Sequence, residues 1–419
     1  MENYSIVLFI LFIMITISAL SDKMKLPYPI LLIIMGMAVG FIPAIPDVEL
    51  SPDIVFLLFL PPLLYDAAFN ISYRSFRTHF NTITTLAVSL VFLTAAAIAA
   101  AAHFLIPGMT WPLAFVLGSI LSATDAVAAI SITKGLGLSH KTNTILEGES
   151  LVNDASALVS YQFAVAAVSG TAFVLWKASL QFVIMMAGGF LIGVVMGKML
   201  QFILKRVHDN HIVSISFMLL TPFVTYQIAE EMHVSGVLAV VVQGLLIARL
   251  SNAAFGDRLK QEMRSVWDII IFLLNGLIFL FIGMQLPYVV KKIEPGQMWT
   301  YVGYAFIITV VALIVRLSRV FLQKINLDRA FRHGRGRIKE SELLDFKNSL
   351  IISWSGMRGI VSLATAIGLP VTLGNGHPFP ERDVIIFLSI NVVLFTLIGQ
   401  GITLPWLVRK LKDNNSERL

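Results

Sequence analysis

Residues 147–159 read "EGESLVNDASALV" and set Glu149, Ser150, Asn153 and Asp154 inside an otherwise apolar stretch. On a helix, Ser150 and Asp154 are i,i+4 neighbours, as are Glu149 and Asn153, so one helix presents two adjacent polar stripes. The first offers a hydroxyl and a carboxylate, a pair that suits a hard cation such as Na⁺. The second offers a carboxylate that needs a cationic partner and an amide that can bridge. Other apolar segments carry charge too. "LPPLLYDAAFN" holds Asp66, "LSATDAVAAIS" holds Thr124 and Asp125, and "ALIVRLSRV" holds Arg316. In "SWSGMRGIVSLATAIGLP", Arg358 stands between Gly356 and Gly359.

The elements that position these residues follow from composition. Of 419 residues, 57% are hydrophobic and 13% charged, with a mean hydropathy of +0.82. A soluble domain carries about 25% charged residues, so this chain must show apolar surface to lipid. The fold class is therefore an all-α polytopic membrane protein. A span needs about 20 apolar residues, which gives about thirteen transmembrane helices. They fall near 4–20, 27–44, 53–70, 83–106, 112–133, 144–169, 178–204, 211–229, 233–250, 265–287, 298–321, 347–369 and 384–408. The split at "EEMH", 230–233, has the weakest signal.

Lys and Arg concentrate in alternate loops, which orients the N-terminus outside and the C-terminus in the cytoplasm. That orientation explains the net charge of +6 without nucleic acid as a partner. The expected surroundings are membrane lipid, in the cell membrane. With no cysteine, thiolate metal sites and thiol nucleophiles are excluded. The basic stretch at about 322–346 reads as a solvated loop, and Asp268, which begins the tenth span beside Trp267, reads as interfacial. Gly189, Gly193 and Gly197, four apart, mark close helix packing or a dimer face.

A rise of about 1.5 Å per residue converts position into depth. Asp66 lies about 20 Å below the outer face, Asp125 at a similar depth, and Asp154 about 15 Å from the inner face. These three carboxylates fall in one layer. Glu149, about 7–8 Å from the inner face, sits near the level of Arg316, so those two are placed to pair. Intramembrane acids mark ion or proton paths. Glu147, closer to the cytoplasm, reads as a water-facing residue. The glycines around Arg358 and the hydroxyls around Asp125 point to helices broken at mid-membrane, where backbone carbonyls face a cavity. The fifth and twelfth spans are seven apart, a spacing compatible with two inverted six-span repeats plus one extra helix. Arg358 is placed to neutralise half-helix ends, with direct ion handling as its other role.

"ATDAVAAISI", "LEGESLVNDASALV", "LPPLLYDAAFN", "FLLNGLIFLFIGMQL" and "SGMRGIVSLATAIGLP" resemble segments of the NhaP/NHE branch of monovalent cation–proton antiporters. The resemblance implies thirteen spans, a homodimer, and a core with two crossed, unwound helices. It divides the single membrane domain into a dimerisation part, about 1–50 and 178–260, and an ion-transporting core, about 53–169 and 265–408. A short tail, 409–419, follows. It implies Asp154 as the ion- and proton-binding carboxylate, with Asp125 beside it and Ser150 and the Thr124 backbone as further ligands. Asp66 would be an outer ligand, standing where many relatives have Glu. Asn153 would support the site and Glu149 would pair with Arg316. The implied function is alternating-access exchange of Na⁺ (or Li⁺) for H⁺, electroneutral, with K⁺/H⁺ antiport as the alternative. Such a protein is not an enzyme and needs no cofactor, since the ions are cargo. A cation channel would want a ring-forming filter, and an intramembrane aspartyl protease a Gly-x-Gly-Asp string; neither occurs in the sequence.

Overall fold

In lipid every backbone N–H and C=O must be satisfied within the chain, so apolar runs of this length fold as helices. The computed structural model describes residues 9, 11–19, 28–42, 55–133, 136, 138–170, 175–207, 209–294, 296–333, 342–373 and 376–416. Seven described helices are long and apolar enough to cross a membrane. They are α3 (Phe80–Leu105), α6 (His140–Val168), α7 (Leu175–Val207), α8 (His211–Glu231), α10 (Asp257–Lys292), α11 (Met298–Arg332) and α14 (Arg382–Ser416). Shorter apolar helices are α1 (Tyr28–Gly40), α2 (Leu60–Asn70), α4 (Trp111–Ser122) and α9 (Gly236–Ala254). Three more are short: α5 (Ala126–Ile132), α12 (Phe346–Trp354) and α13 (Ile360–Ile367).

Polar side chains start the helices where the sequence changes from loop to apolar run. Ser139 caps α6, Asn210 caps α8, Ser235 caps α9 and Asp345 caps α12, each accepting a first-turn N–H. The weakly signalled split is present, since α8 ends at Glu231 and Ser235 opens α9.

Glycines set how closely the long helices approach. Gly36 of α1 and Gly283 of α10 lie against each other's backbone, so a Cβ at either would overlap main-chain atoms. Gly189 and Gly193 lie against the carbonyls of Ser235 and Ala239, and Gly197 lies against Leu246. The glycine row thus packs α7 on α9 within one chain. α2 lies along α9, where Gly244 meets Ala68 and the Tyr65 carbonyl.

Two sequence expectations change. The loop expected from about residue 322 starts later, because α11 runs on to Arg332. Its polar last turns hold helical geometry partly through the i,i+4 pair Lys324–Asp328 at 2.7 Å. Residues 334–341 lie outside the described residues. Asp268 does not open its helix, because α10 begins eleven residues earlier at Asp257, and the neighbouring Trp267 is buried, stacked on Tyr65 with ring centroids 5.1 Å apart.

Candidate functional site

Two interrupted helices cross beside α6. α4 stops at Ser122 and α5 starts at Ala126, with Ala123 extended at ψ 141°. α12 stops at Trp354 and α13 starts at Ile360, leaving 355–359 non-helical. The gaps meet directly, where Asp125 N donates to Met357 O at 2.8 Å. This contact needs glycine. A Cβ on Gly359 would overlap the Asp125 carboxylate, and one on Gly356 would overlap the Arg316 side chain.

Charged side chains answer the end of α4 and the start of α5. Asp125 Oδ1 accepts from Ala128 N at 3.3 Å, a negative group at the start of a half-helix. Arg358 Nε donates to Leu121 O at 2.7 Å, in the last turn of α4, and Nη1 donates to Gly356 O at 2.7 Å. Of the two roles weighed for Arg358, these contacts match neutralisation of half-helix carbonyls. Ser150 of α6 joins both sides of the first gap: Oγ donates to Thr124 O at 3.0 Å and accepts from Ala126 N at 3.3 Å.

Glu149 and Arg316 meet. Arg316 Nη1 and Nη2 donate to Glu149 Oε1 and Oε2 at 2.5 and 3.1 Å, and both residues are 1% exposed. Arg316 Nε donates to Ile352 O at 3.1 Å, in the last turn of α12. Thr124 Oγ1 donates to Glu149 Oε1 at 3.2 Å, and Asn153 Nδ2 donates to Thr124 Oγ1 at 2.8 Å. The Thr124 hydroxyl therefore belongs to this ion pair. Its carbonyl accepts from Ser150 and, at 3.3 Å, from Asn153.

Asp154 is 7% exposed and lines a cavity of about 110 Å³ at the crossing. Asp66, Asp125 and Ser150 line the same space, as do Asn275 of α10 and Ser362 of α13. Asp66 accepts from Asn70 Nδ2 at 2.9 Å, one turn along α2. Among the described residues no three acidic or histidine side chains converge as a metal-binding cluster. The aspartates share a cavity without sharing one point. The sequence reading missed Asn275 and Ser362. A single amide in the apolar run "FLLNGLIFL" was the available signal.

A mostly apolar cavity that carries three aspartates at crossed, broken helices narrows the choice of family, and sequence decides it. The model of the family described as sodium/hydrogen exchanger, transmembrane, matches residues 8–410. The chain belongs to that family. This exchanger is a transporter and not an enzyme, which removes the protease reading. It is 31% identical to the Na(+)/H(+) antiporter NhaH of Halobacillus aidingensis, over 97% of each chain. It is 36% identical to the sodium, potassium, lithium and rubidium/H(+) antiporter of Bacillus pumilus, over 92% of this chain and 58% of that one. The structure of the sodium proton antiporter MjNhaP1 from Methanocaldococcus jannaschii matches with a TM-score of 0.75, covering 98% of this exchanger and 99% of that chain. At 20% identity that match shows a common fold.

Proposed function

We propose that this exchanger trades Na⁺ or Li⁺ for H⁺ one for one, by alternating access, at the cavity lined by Asp154. One observation carries the reading: Asp154, Asp125 and Ser150 line a single buried space where two broken helices cross. A carboxylate there can hold a proton or a cation but not both. Exposing it alternately to the two sides turns that competition into exchange. Asp154 is the carrier, Asp125 its neighbour, Ser150 and the Thr124 carbonyl are oxygen ligands, and Asp66 is an outer ligand. The Thr124 carbonyl already accepts two hydrogen bonds, so its ligation requires Ser150 or Asn153 to shift. Arg316 with Glu149, Asn153 and Arg358 hold the frame.

In this reading the protein is a homodimer in the cell membrane, N-terminus outside and C-terminus in the cytoplasm. The ion-transporting core, about 53–169 and 265–408, moves against the dimerisation part, about 1–50 and 178–260. Exchange of K⁺ for H⁺ is the second reading, favoured by the breadth of cations named for the Bacillus pumilus relative. The test is proteoliposomes holding a pH-sensitive dye under an imposed ΔpH. Dequenching on adding Na⁺ or Li⁺, and not K⁺, supports the first reading. A response to K⁺ alone selects the second, and no response to any of the three refutes both.

A further inference from the structure

We propose that Asn275 and Ser362 supply neutral oxygens to the cation in this cavity and set which monovalent cation it prefers. The inference rests on the reading of the cavity as the transport site. Asn275 is 7% exposed and Ser362 1% exposed, and both line the space that Asp154 lines. Neither Asn275 Oδ1 nor Ser362 Oγ has a hydrogen-bond partner among the described residues. Buried polar atoms are nearly always paired, so two orphaned oxygens on residues of one cavity wall call for something that a small side-chain turn would let them bind.

The chemistry of the other groups says what that is. Hard cations gather several oxygens at once, carbonyl and hydroxyl as well as carboxylate. The aspartates do not converge as a closed cluster, so they cannot supply that shell alone. Ser150 Oγ and the Thr124 carbonyl are engaged with each other at 3.0 Å. Asn275 and Ser362 line the cavity as residues, and their neutral oxygens, Asn275 Oδ1 and Ser362 Oγ, have no bond to give up. They also stand on α10 and α13, two helices other than the α6 that carries Asp154. The distance across the cage is thus fixed by packing between helices. A cage of fixed width selects by ion size. A small cation holds each oxygen more strongly than a large one does, because the charge sits closer, so losing one oxygen costs Li⁺ and Na⁺ more than K⁺.

The test uses purified full-length Asn275→Ala and Ser362→Ala in proteoliposomes, with Li⁺, Na⁺ and K⁺ compared at one pH. The apparent KM for Li⁺ and Na⁺ is expected to rise about two- to tenfold, the effect of one lost polar contact, with a smaller change for K⁺. Maximal rates should stay within about twofold, because a ligand that binds without moving the proton affects binding and not turnover. Ser362→Thr, which keeps the oxygen, should retain the wild-type order of cations. The rise in unfolding temperature that Na⁺ gives the purified protein should shrink in both Ala variants, a readout independent of transport. Should Asn275→Ala not fold, Ser362→Ala removes one oxygen alone and decides the matter. Equal changes for all three cations, or a change in maximal rate only, would show structural roles and overturn the proposal. A wild type that exchanges none of the three cations overturns the transport reading, and this one with it.

Discussion

Two polar regions share α6, and they are built on opposite terms. Around Glu149 the carboxylate is closed in: a bidentate arginine and a threonine donate to it, and the Asn153 amide holds that threonine, with Asn153 Oδ1 alone left without a partner among the described residues. One turn further on, Asp154 faces a cavity whose wall residues include two, Asn275 and Ser362, with oxygens that have nothing to bind among the described residues. The first arrangement resists change, because removing one partner leaves a buried charge uncompensated. The second has room for an ion and reason to take one. Burial alone does not separate them, since Asp154 is 7% exposed and Glu149 1%. The state of the surrounding hydrogen bonds does.

The largest expected effect lies on the open side. Asp154→Asn and Asp125→Asn should each abolish cation-driven exchange in proteoliposomes while membrane abundance stays near wild type. Wild-type-like exchange by purified Asp154→Asn would erase the contrast altogether. Next comes the closed side. Glu149→Gln or Arg316→Met should cost about 3–5 kcal/mol in thermal or denaturant unfolding, and the double variant should regain much of it. Additive losses in the double variant would mean that the pair does not act as a unit.

Gly359→Ala probes the seam between the two broken helices, since its methyl group would overlap the Asp125 carboxylate. Overpacking of this kind costs about 1–3 kcal/mol. A displaced Asp125 should lower exchange more than unfolding stability, measured side by side. The smallest effect is graded. Protonation of Asp154 removes the state that binds Na⁺, so apparent affinity follows the unprotonated fraction. Well below that carboxylate's pKa, KM for Na⁺ should rise about tenfold per pH unit, equivalent to about 1.36 kcal/mol. It should level off above. ²²Na⁺ uptake at symmetrical pH between about pH 6 and 9 reads this directly. A constant KM with a varying maximal rate would assign the pH response to a separate gate.

Much of the closed region was legible in the sequence. Helical rise is constant, so counting residues from each membrane face placed Glu149 and Arg316 at one level, and a buried carboxylate needs a cation. The helix breaks were legible for a related reason: Gly356 and Gly359 flank an arginine where no soluble-type loop fits. The extra turns of α11 were not, because hydropathy ends where lipid ends while a helix can continue into water on i,i+4 pairs such as Lys324–Asp328.

By itself the sequence determined the class of the molecule and the residues too polar for lipid, because each depends on composition or on spacing along one helix. Tertiary structure decided what faces what. It turned the Thr124 hydroxyl toward Glu149 and its carbonyl toward Ser150, assigned the glycine row of α7 to α9, and brought Asn275 and Ser362 to the wall of the Asp154 cavity. Those choices depend on how helices rotate and approach one another across the bundle. Residues far apart in the chain set that packing together, and no local pattern encodes it.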